Sequence, residues 1–323
     1  MRPPSHLPDG RARTFALVRR WGLVLVVLAG LGAAARFVPD SPFAAASETA
    51  PGPSAGQGST TKPKPTPTPT PTPTPSPTPP PLPQLRFRNT TVDVDAEGLY
   101  AWALMDRRTG EIWGSPTMAA TTWPASMIKG WLSADYLRRI GEKGLKPTTA
   151  QLSEVDRVIR DSDNTGAQDL YVKNGGTAGI KRLISMCKLT DTKSSSKGWS
   201  FTNISAQDTV RMADCIADGV AAGPAYTGWL LNEMATVREG DWGIRKALPP
   251  AEAAKVSIKN GWLNYTDDNM WHINCMAVTD TWAMAVLQRY PGTGQYNTDF
   301  LHGQQFCQET ATQLLNPAYV PTG

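Results

Sequence analysis

The pattern of apolar and polar positions divides the second half of the chain into strands near both ends and helices between them. Short runs rich in β-branched and aromatic residues, bounded by turn residues, predict strands, and apolar residues at i, i+3 and i+4 predict helices. Strands are predicted over 99–106, 111–115, 256–262, 271–280 and 281–290, and helices over 127–140, 151–160, 164–172, 176–187, 205–219 and 298–315. This order predicts an α+β fold, with an antiparallel sheet built from both chain ends and a helical middle subdomain.

The N-terminus has a different pattern. Arginines between positions 11 and 20 precede an apolar run over residues 21–35. A basic segment before a short apolar core is typical of an export signal, and the run is shorter than the about 20 residues that usually span a bilayer. We predict that residues 1–46 are a cytoplasmic basic segment with an export signal, or a signal anchor held in the membrane through residues 21–35.

A Pro- and Thr-rich segment follows the leader. Proline stands at nearly alternate positions of residues 63–83, and its fixed φ and missing N–H favour an extended polyproline II rod. We predict that residues 47–84 are a disordered spacer and that residues 85–323 form one folded domain, a monomer. The formal net charge of +4 is unremarkable once the basic leader is set aside, so no nucleic-acid partner is expected.

All four cysteines, Cys187, Cys215, Cys275 and Cys307, lie in the predicted folded domain. Disulfides are the expected state of cysteines in an exported protein. Of the three pairings that four cysteines allow, we favour Cys187 with Cys215 and Cys275 with Cys307, because each joins segments expected to be neighbours. The cysteines lack the close spacing of metal ligands, so neither a metal nor another cofactor is expected.

Three short motifs supply candidate chemistry. In WPASMIKG, residues 123–130, Ser126 and Lys129 stand three positions apart at a helix start, where they share one face. A serine hydroxyl needs a base to take its proton, and a lysine can act as that base when burial or a nearby cation lowers its pKa. The alternative interpretation is a helix-capping serine beside a surface lysine.

The second and third motifs lie downstream. Ser162, Asp163 and Asn164 combine a hydroxyl that could relay a proton with an amide that both donates and accepts hydrogen bonds. Lys259 and Asn260 precede Gly261 on a predicted strand, where the lysine offers a cation for a substrate carboxylate and the glycine allows close approach to the backbone. Each motif alone is common, but all three in this order form a specific combination.

Together the motifs resemble those of the class A β-lactamases and the low-molecular-mass penicillin-binding D,D-peptidases, over nearly all of residues 95–318. The resemblance implies a β-lactamase/transpeptidase-like fold and a substrate that is a β-lactam or a peptidoglycan stem peptide. It also implies an extracytoplasmic location at the cell wall.

The resemblance also implies roles for individual residues. Ser126 would be the acylated nucleophile, Lys129 its base, and Ser162 the relay to the leaving nitrogen. Asn164 would hold the substrate amide, and Lys259 and Asn260 would bind its carboxylate, next to Gly261. The backbone N–H groups of Ser126 and Trp262 would form the oxyanion hole.

Two positions depart from the family pattern. Asn260 stands where Thr or Ser is usual, and its amide would still donate to a carboxylate. Trp199 stands where class A β-lactamases carry the glutamate that activates the deacylating water; Asp191 and Asp208 lie nearby in sequence but outside that pattern. We therefore expect an acyl-enzyme that is slow to deacylate. A true β-lactamase with an unrecognised base and an inactive wall-tethered binding module remain as alternatives.

Overall fold

The computed structural model describes residues 92–315. Its helices are α1 Lys129–Gly141, α2 Thr149–Arg160, α3 Asn164–Lys173, α4 Thr177–Met186, α5 Ala206–Ala217, α6 Pro224–Ala235, α7 Pro250–Ala253 and α8 Tyr296–Leu315. Its strands are β1 Leu99–Asp106, β2 Glu111–Gly114, β3 Thr121–Thr122, β4 Ile204–Ser205, β5 Ser257–Ile258, β6 Gly261–Tyr265, β7 Met270–Val278 and β8 Trp282–Pro291. The predictions for residues 1–46 and 47–84 lie outside the described residues. Within the described part, no helix is long and apolar enough to span a bilayer.

Both ends of the described chain build one antiparallel sheet, which confirms the predicted α+β class. β1 pairs with β8, with Leu99 opposite Arg289 and Asp106 opposite Trp282. The strand order is β2, β1, β8, β7, and both β5 and β6 pair along the outer edge of β7. Because β7 is buried from Trp271 to Val278, its sequence is a nearly continuous apolar run.

Helices cover both faces of this sheet. Neighbouring strand residues point to opposite faces, and Cys275 and Met276 of β7 mark the two sides. Cys275 is disulfide-bonded to Cys307 of α8, whereas Met276 lies beside Gly130 of α1. The other disulfide joins Cys187, at the end of α4, to Cys215 of α5. Both pairings are those expected from the sequence.

Two local predictions differ from the structure. The strand predicted over 256–262 is broken between β5 and β6, because the Asn260 side chain replaces a backbone partner: its Oδ1 accepts from Met276 N at 3.4 Å. Helix α6 was not predicted, since its sequence PAYTGWLLNEMA carries apolar residues around most of its circumference and lacks a clear polar face.

Candidate active site

The three motifs meet where the sheet edge joins the helical part. Ser126 lies in a single 3₁₀ turn, residues 125–128, that runs directly into α1, and Lys129 is the first residue of α1. Ser162 and Asn164 lie at the junction of α2 and α3. Lys259 lies in the break between β5 and β6. Segments far apart in sequence therefore converge on one site.

The Ser162 hydroxyl links the two lysines. Lys129 Nζ donates to Ser162 Oγ at 3.2 Å, to Ser162 O at 2.6 Å and to Asn164 Oδ1 at 2.7 Å. Lys259 Nζ donates to the same Ser162 Oγ at 3.0 Å. When that oxygen accepts from both amines, its own proton remains available to a further acceptor. This is the arrangement that a proton relay requires.

Backbone geometry holds the second motif in place. Ser162 adopts a φ of 55°, a left-handed conformation that is uncommon for serine. The Asp163 carboxylate caps α3 by accepting from Thr165 N at 3.0 Å and Gly166 N at 3.2 Å, the capping role that its position favours. Just before the motif, Arg160 O accepts from Arg238 N and Glu239 N, so the turn is anchored to the segment that precedes the third motif.

Ser126 is held by its backbone. Ala125, the preceding residue, has a φ of 48°. The Ser126 side chain is half-buried. Among the described residues, the Ser126 hydroxyl makes no hydrogen bond, and the Lys129 amine is directed to Ser162 and Asn164 instead. The hydroxyl is therefore not committed to a structural contact.

Gly261 has a packing role that the sequence analysis did not predict. A Cβ at this position would lie 2.2 Å from Pro124 O, 2.4 Å from Met127 N and 2.7 Å from Ser126 N. These separations are far below van der Waals contact, and the atoms are backbone. The close approach that glycine allows is therefore that of the serine turn, and Gly261 sets how tightly the turn packs on β6.

The contacts of Asn260 also correct a prediction. Its side chain is buried, and Nδ2 donates to Gly240 O at 2.9 Å and Trp242 O at 2.8 Å. An amide nitrogen has two protons, so both are used. The Asn260 side chain therefore has no free donor for a substrate carboxylate. Because successive side chains of an extended segment point to opposite sides, Lys259 points into the site and Asn260 points away from it. Lys259 remains as the cation of this motif.

Both lysines are fully buried, with 0 % exposure, and neither forms an ion pair with a described residue. Burial lowers the pKa of Lys129 from 10.5 to about 7, and the nearby Asp163 carboxylate opposes this only in part. Such a decrease corresponds to about 5 kcal/mol against the charged form. Burial, together with the charge of Lys129, also holds the pKa of Lys259 well below its usual value. A lysine with a pKa near 7 can accept a proton at neutral pH.

Trp199 lies over the Lys129 amine. The ring centroid is 5.2 Å from Nζ, and the indole N–H donates to Gln168 Oε1 at 3.2 Å. The two carboxylates that neighbour this segment in sequence have structural partners. Asp208 accepts from the backbone N–H groups of Thr190, Asp191 and Thr192, and Asp191 accepts from Ser205 and Gln207.

Two residues of β7 that lie outside the three motifs support the serine turn. His272 is buried and stacks on Trp123 with ring centroids 4.9 Å apart; its Nδ1 contacts Thr122 Oγ1 at 2.8 Å and its Nε2 contacts Asp268 at 2.9 Å. Asn274 Nδ2 donates to Trp123 O at 2.9 Å. The available signal was two polar residues at alternate positions of an otherwise apolar strand.

Trp262, the remaining predicted site residue, is the second residue of β6 and is half-buried. Its ring lies 5.7 Å from Trp242 and 5.4 Å from Phe300, centroid to centroid, so the aromatic residues beside the third motif pack on one another. Within residues 92–315, no group of three or more His, Cys, Asp or Glu side chains is arranged to hold a metal ion.

Solved class A β-lactamases are similar to this chain in fold along most of their length. The TLA-3 extended-spectrum β-lactamase gives a TM-score of 0.55 at 14 % identity, over 67 % of this chain and 93 % of that one. The Mycobacterium abscessus class A β-lactamase gives 0.52 at 16 % identity, over 67 % and 92 %. The chain has the β-lactamase/transpeptidase-like fold. At such identities, structural similarity establishes the fold alone. The activity of this chain has to be argued from the residues of its own site.

Curated sequences add a more limited match. "Putative lipoprotein LppW" of Mycobacterium tuberculosis and of Mycobacterium bovis is 27 % identical to this chain over 181 residues, which is 53 % of this chain. The match spans about half, 56 %, of the length of these relatives. No protein-family model matches the chain.

Proposed function

We propose that the chain is an exported serine acyl-transfer enzyme that forms an ester at Ser126. Its substrate would be a β-lactam or a D-Ala-D-Ala-like stem peptide of peptidoglycan, and it would release the acyl group slowly. The observation that carries this proposal is a pair of buried lysines that share Ser162 Oγ and lack carboxylate partners among the described residues.

The chemistry follows from these contacts. Ser126 Oγ attacks the substrate carbonyl carbon while its proton passes to the neutral Lys129 amine. The C–N bond then breaks, and the leaving nitrogen takes a proton through the Ser162 hydroxyl, which Lys259 also contacts. Positioned proton transfer of this kind contributes about 10²–10⁴-fold to the rate.

Substrate contacts would come from Asn164, Lys259 and two backbone N–H groups. Asn164 accepts from Lys129 through Oδ1, which leaves its Nδ2 to hold the substrate amide. The Lys259 amine would bind the substrate carboxylate, and the backbone N–H groups of Ser126 and Trp262 would stabilise the oxyanion, each worth about 2.7–4 kcal/mol.

Slow release is proposed because Trp199 lies beside Lys129 and the neighbouring Asp191 and Asp208 are engaged elsewhere. An extracytoplasmic, wall-associated location is supported by the two disulfides and by the lipoprotein name of the relatives. We also propose that the protein is a monomer with no nucleic-acid partner. The wall-associated location would be reached through a membrane anchor or a cleaved signal at residues 21–35.

The test is incubation of the full-length protein with a fluorescent penicillin, followed by intact-mass spectrometry over time. A lasting adduct supports the proposal. A transient adduct with many turnovers of nitrocefin would instead indicate a true β-lactamase, the activity for which the solved neighbours are named. Absence of an adduct with both penicillin and a D-Ala-D-Ala peptide would overturn the proposal in favour of a binding module.

A further inference from the structure

The Lys129 amine is fully buried, between three hydrogen-bond acceptors and an aromatic ring. Its three hydrogen-bond acceptors are neutral: Ser162 O, Ser162 Oγ and Asn164 Oδ1. Three acceptors match the three protons of an ammonium group, and a neutral amine, with two protons, can face Ser162 Oγ with its lone pair, since a hydroxyl can also donate. No water is needed to satisfy either form. The indole of Trp199 lies against the same amine.

Helix α3 holds both the polar and the apolar part of this enclosure. Its first residue, Asn164, accepts from Lys129, and one turn later Gln168 accepts from the indole N–H of Trp199. The short turn 199–201 that carries the indole also packs on the 125–128 turn that carries Ser126. The ring is therefore fixed from α3 at a point beside both Lys129 and the serine turn.

Two effects of the ring on the amine oppose each other. The ring face attracts a cation, which favours the charged lysine, while exclusion of water favours the neutral lysine. Of the charged groups that face the amine, Asp163 favours its charged form. Lys259, whose own pKa is lowered by burial and by the charge of Lys129, shares Ser162 Oγ with it. Burial is the largest of the influences on Lys129, so loss of the ring should return the amine towards its charged form.

We propose that Trp199 is a positioning residue whose indole, tethered by Gln168, excludes water from Lys129 and keeps the amine in the neutral form. In that form the nitrogen lone pair can take the Ser126 proton as the Oγ–H bond breaks. The consequence for catalysis rests on the proposed acyl transfer, but the sealing of Lys129 is a property of the free protein.

The experiment titrates Lys129 directly. Full-length protein labelled with [ε-¹³C]lysine is followed by NMR from pH 5 to pH 11, and the Lys129 signal is identified by its absence in Lys129→Arg. Trp199→Ala is expected to raise the midpoint by about one pH unit. Trp199→Phe keeps a ring face over the amine but loses the indole N–H that Gln168 holds, and Gln168→Leu removes the same tether, so both should move in the direction of Trp199→Ala by a smaller amount.

A second readout links the titration to rate. With a midpoint near 7 about half of the lysine is neutral at pH 7, and with a midpoint near 8 about one tenth is. Adduct formation by Trp199→Ala should therefore fall about fivefold at pH 7 and recover by pH 9, whereas a general loss of structure would lower it at every pH.

Two failures can be separated. If the parent forms no acyl adduct, the proposed function fails, and the titration still decides the role of Trp199. If Trp199→Ala leaves the Lys129 midpoint unchanged, the inference is overturned even when the adduct forms. Should Trp199→Ala not fold, Trp199→Gln, which brings polar atoms to the same place, is expected to raise the midpoint as well, and an unchanged midpoint there would equally overturn the inference.

Discussion

Helix α1 carries a fully buried aspartate and a fully buried lysine in opposite circumstances. Asp135, with 0 % exposure, accepts from Arg138 and from both Nε and Nη2 of Arg182, at 3.1 and 2.5 Å for the latter. Lys129, equally buried and six residues earlier, has only neutral partners. The two positions show that burial alone does not define a functional group.

The difference lies in what the charge does for the fold. A buried carboxylate between two guanidinium groups is compensated, and removing it leaves cations unpaired. A buried amine with neutral acceptors is poorly compensated, so it lowers stability in its charged form and is driven towards the neutral form. We interpret Asp135 as structural and Lys129 as chemical, and the predictions below test that distinction.

The largest expected effect separates function from stability at Lys129. Lys129→Met keeps a similar length without the amine, so acylation should fall by about 10²–10⁴-fold. The free energy of unfolding should stay the same or rise, because an uncompensated buried charge is removed. Adduct formation by mass spectrometry and urea unfolding check the two halves, and a marked loss of stability would mean that Lys129 is structural after all.

Asp135→Leu should behave in the opposite way. Loss of the carboxylate leaves Arg138 and Arg182 without their buried partner, and we expect the free energy of unfolding to fall by about 3 kcal/mol. Acylation by the fraction that remains folded should be near that of the parent. If stability does not change in urea unfolding, the contrast along α1 is wrong.

The pH dependence of stability sharpens the contrast. The folded protein lowers the pKa of Lys129 to about 7, while the unfolded chain has a value of about 10.4. Between those values the unfolded state binds more protons, so stability rises with pH. Below pH 7 both states are charged and the full penalty is present.

Lys129→Met removes this dependence and supplies the comparison. The stability advantage of Lys129→Met over the parent should be largest below pH 7 and shrink by a few kcal/mol as the pH approaches 10. Urea unfolding at four pH values measures it. An advantage that is the same at every pH would show that Lys129 does not titrate abnormally.

Much of the fold and of the site around Lys129 could be predicted from the sequence, because part of it is local. The spacing of Ser126 and Lys129 on one helix face and the strand pattern of β7 are short-range patterns, and each was identified. The disulfide pairs followed from segments expected to be neighbours, and the structure has both.

The rest depends on contacts between distant segments. Asn260 has three backbone partners on distant segments around the break between β5 and β6, and no spacing rule encodes those contacts. Gly261 is needed by the serine turn, which is more than 130 residues earlier in the chain. The position of the Trp199 ring over Lys129 likewise depends on where a loop lies after folding.

Gly261→Ala tests the tertiary contact that sets the serine turn. The added Cβ would meet backbone atoms of Pro124 and Met127, which cannot move aside without shifting Ser126. We expect acylation to fall by about tenfold or more, since small misplacements of reacting groups are costly. Gly228→Ala, where an added Cβ meets nothing within 4 Å, is the matched control and should acylate as the parent does.

A smaller effect is expected at Asn260, which holds the third motif without touching substrate in this account. Asn260→Ala removes three hydrogen bonds to backbone atoms, those with Gly240 O, Trp242 O and Met276 N, and should lower the free energy of unfolding by about 2 kcal/mol. Asn264→Ala, at an exposed position of β6, should have little effect. If Asn260→Ala instead weakens substrate binding with unchanged stability, Asn260 would contact the carboxylate as the family pattern implies.

The central claim is that buried, unpaired Lys129 serves the hydroxyl of Ser126. Peptide mapping of the penicillin adduct tests it most directly, in the parent, Ser126→Ala and Ser133→Ala. Ser133 lies on α1, as Lys129 does. It is buried and its hydroxyl has no hydrogen-bond partner among the described residues, so it is a matched control. The account predicts an adduct on the peptide containing Ser126 in the parent and in Ser133→Ala, and none in Ser126→Ala. An adduct that persists in Ser126→Ala would contradict it.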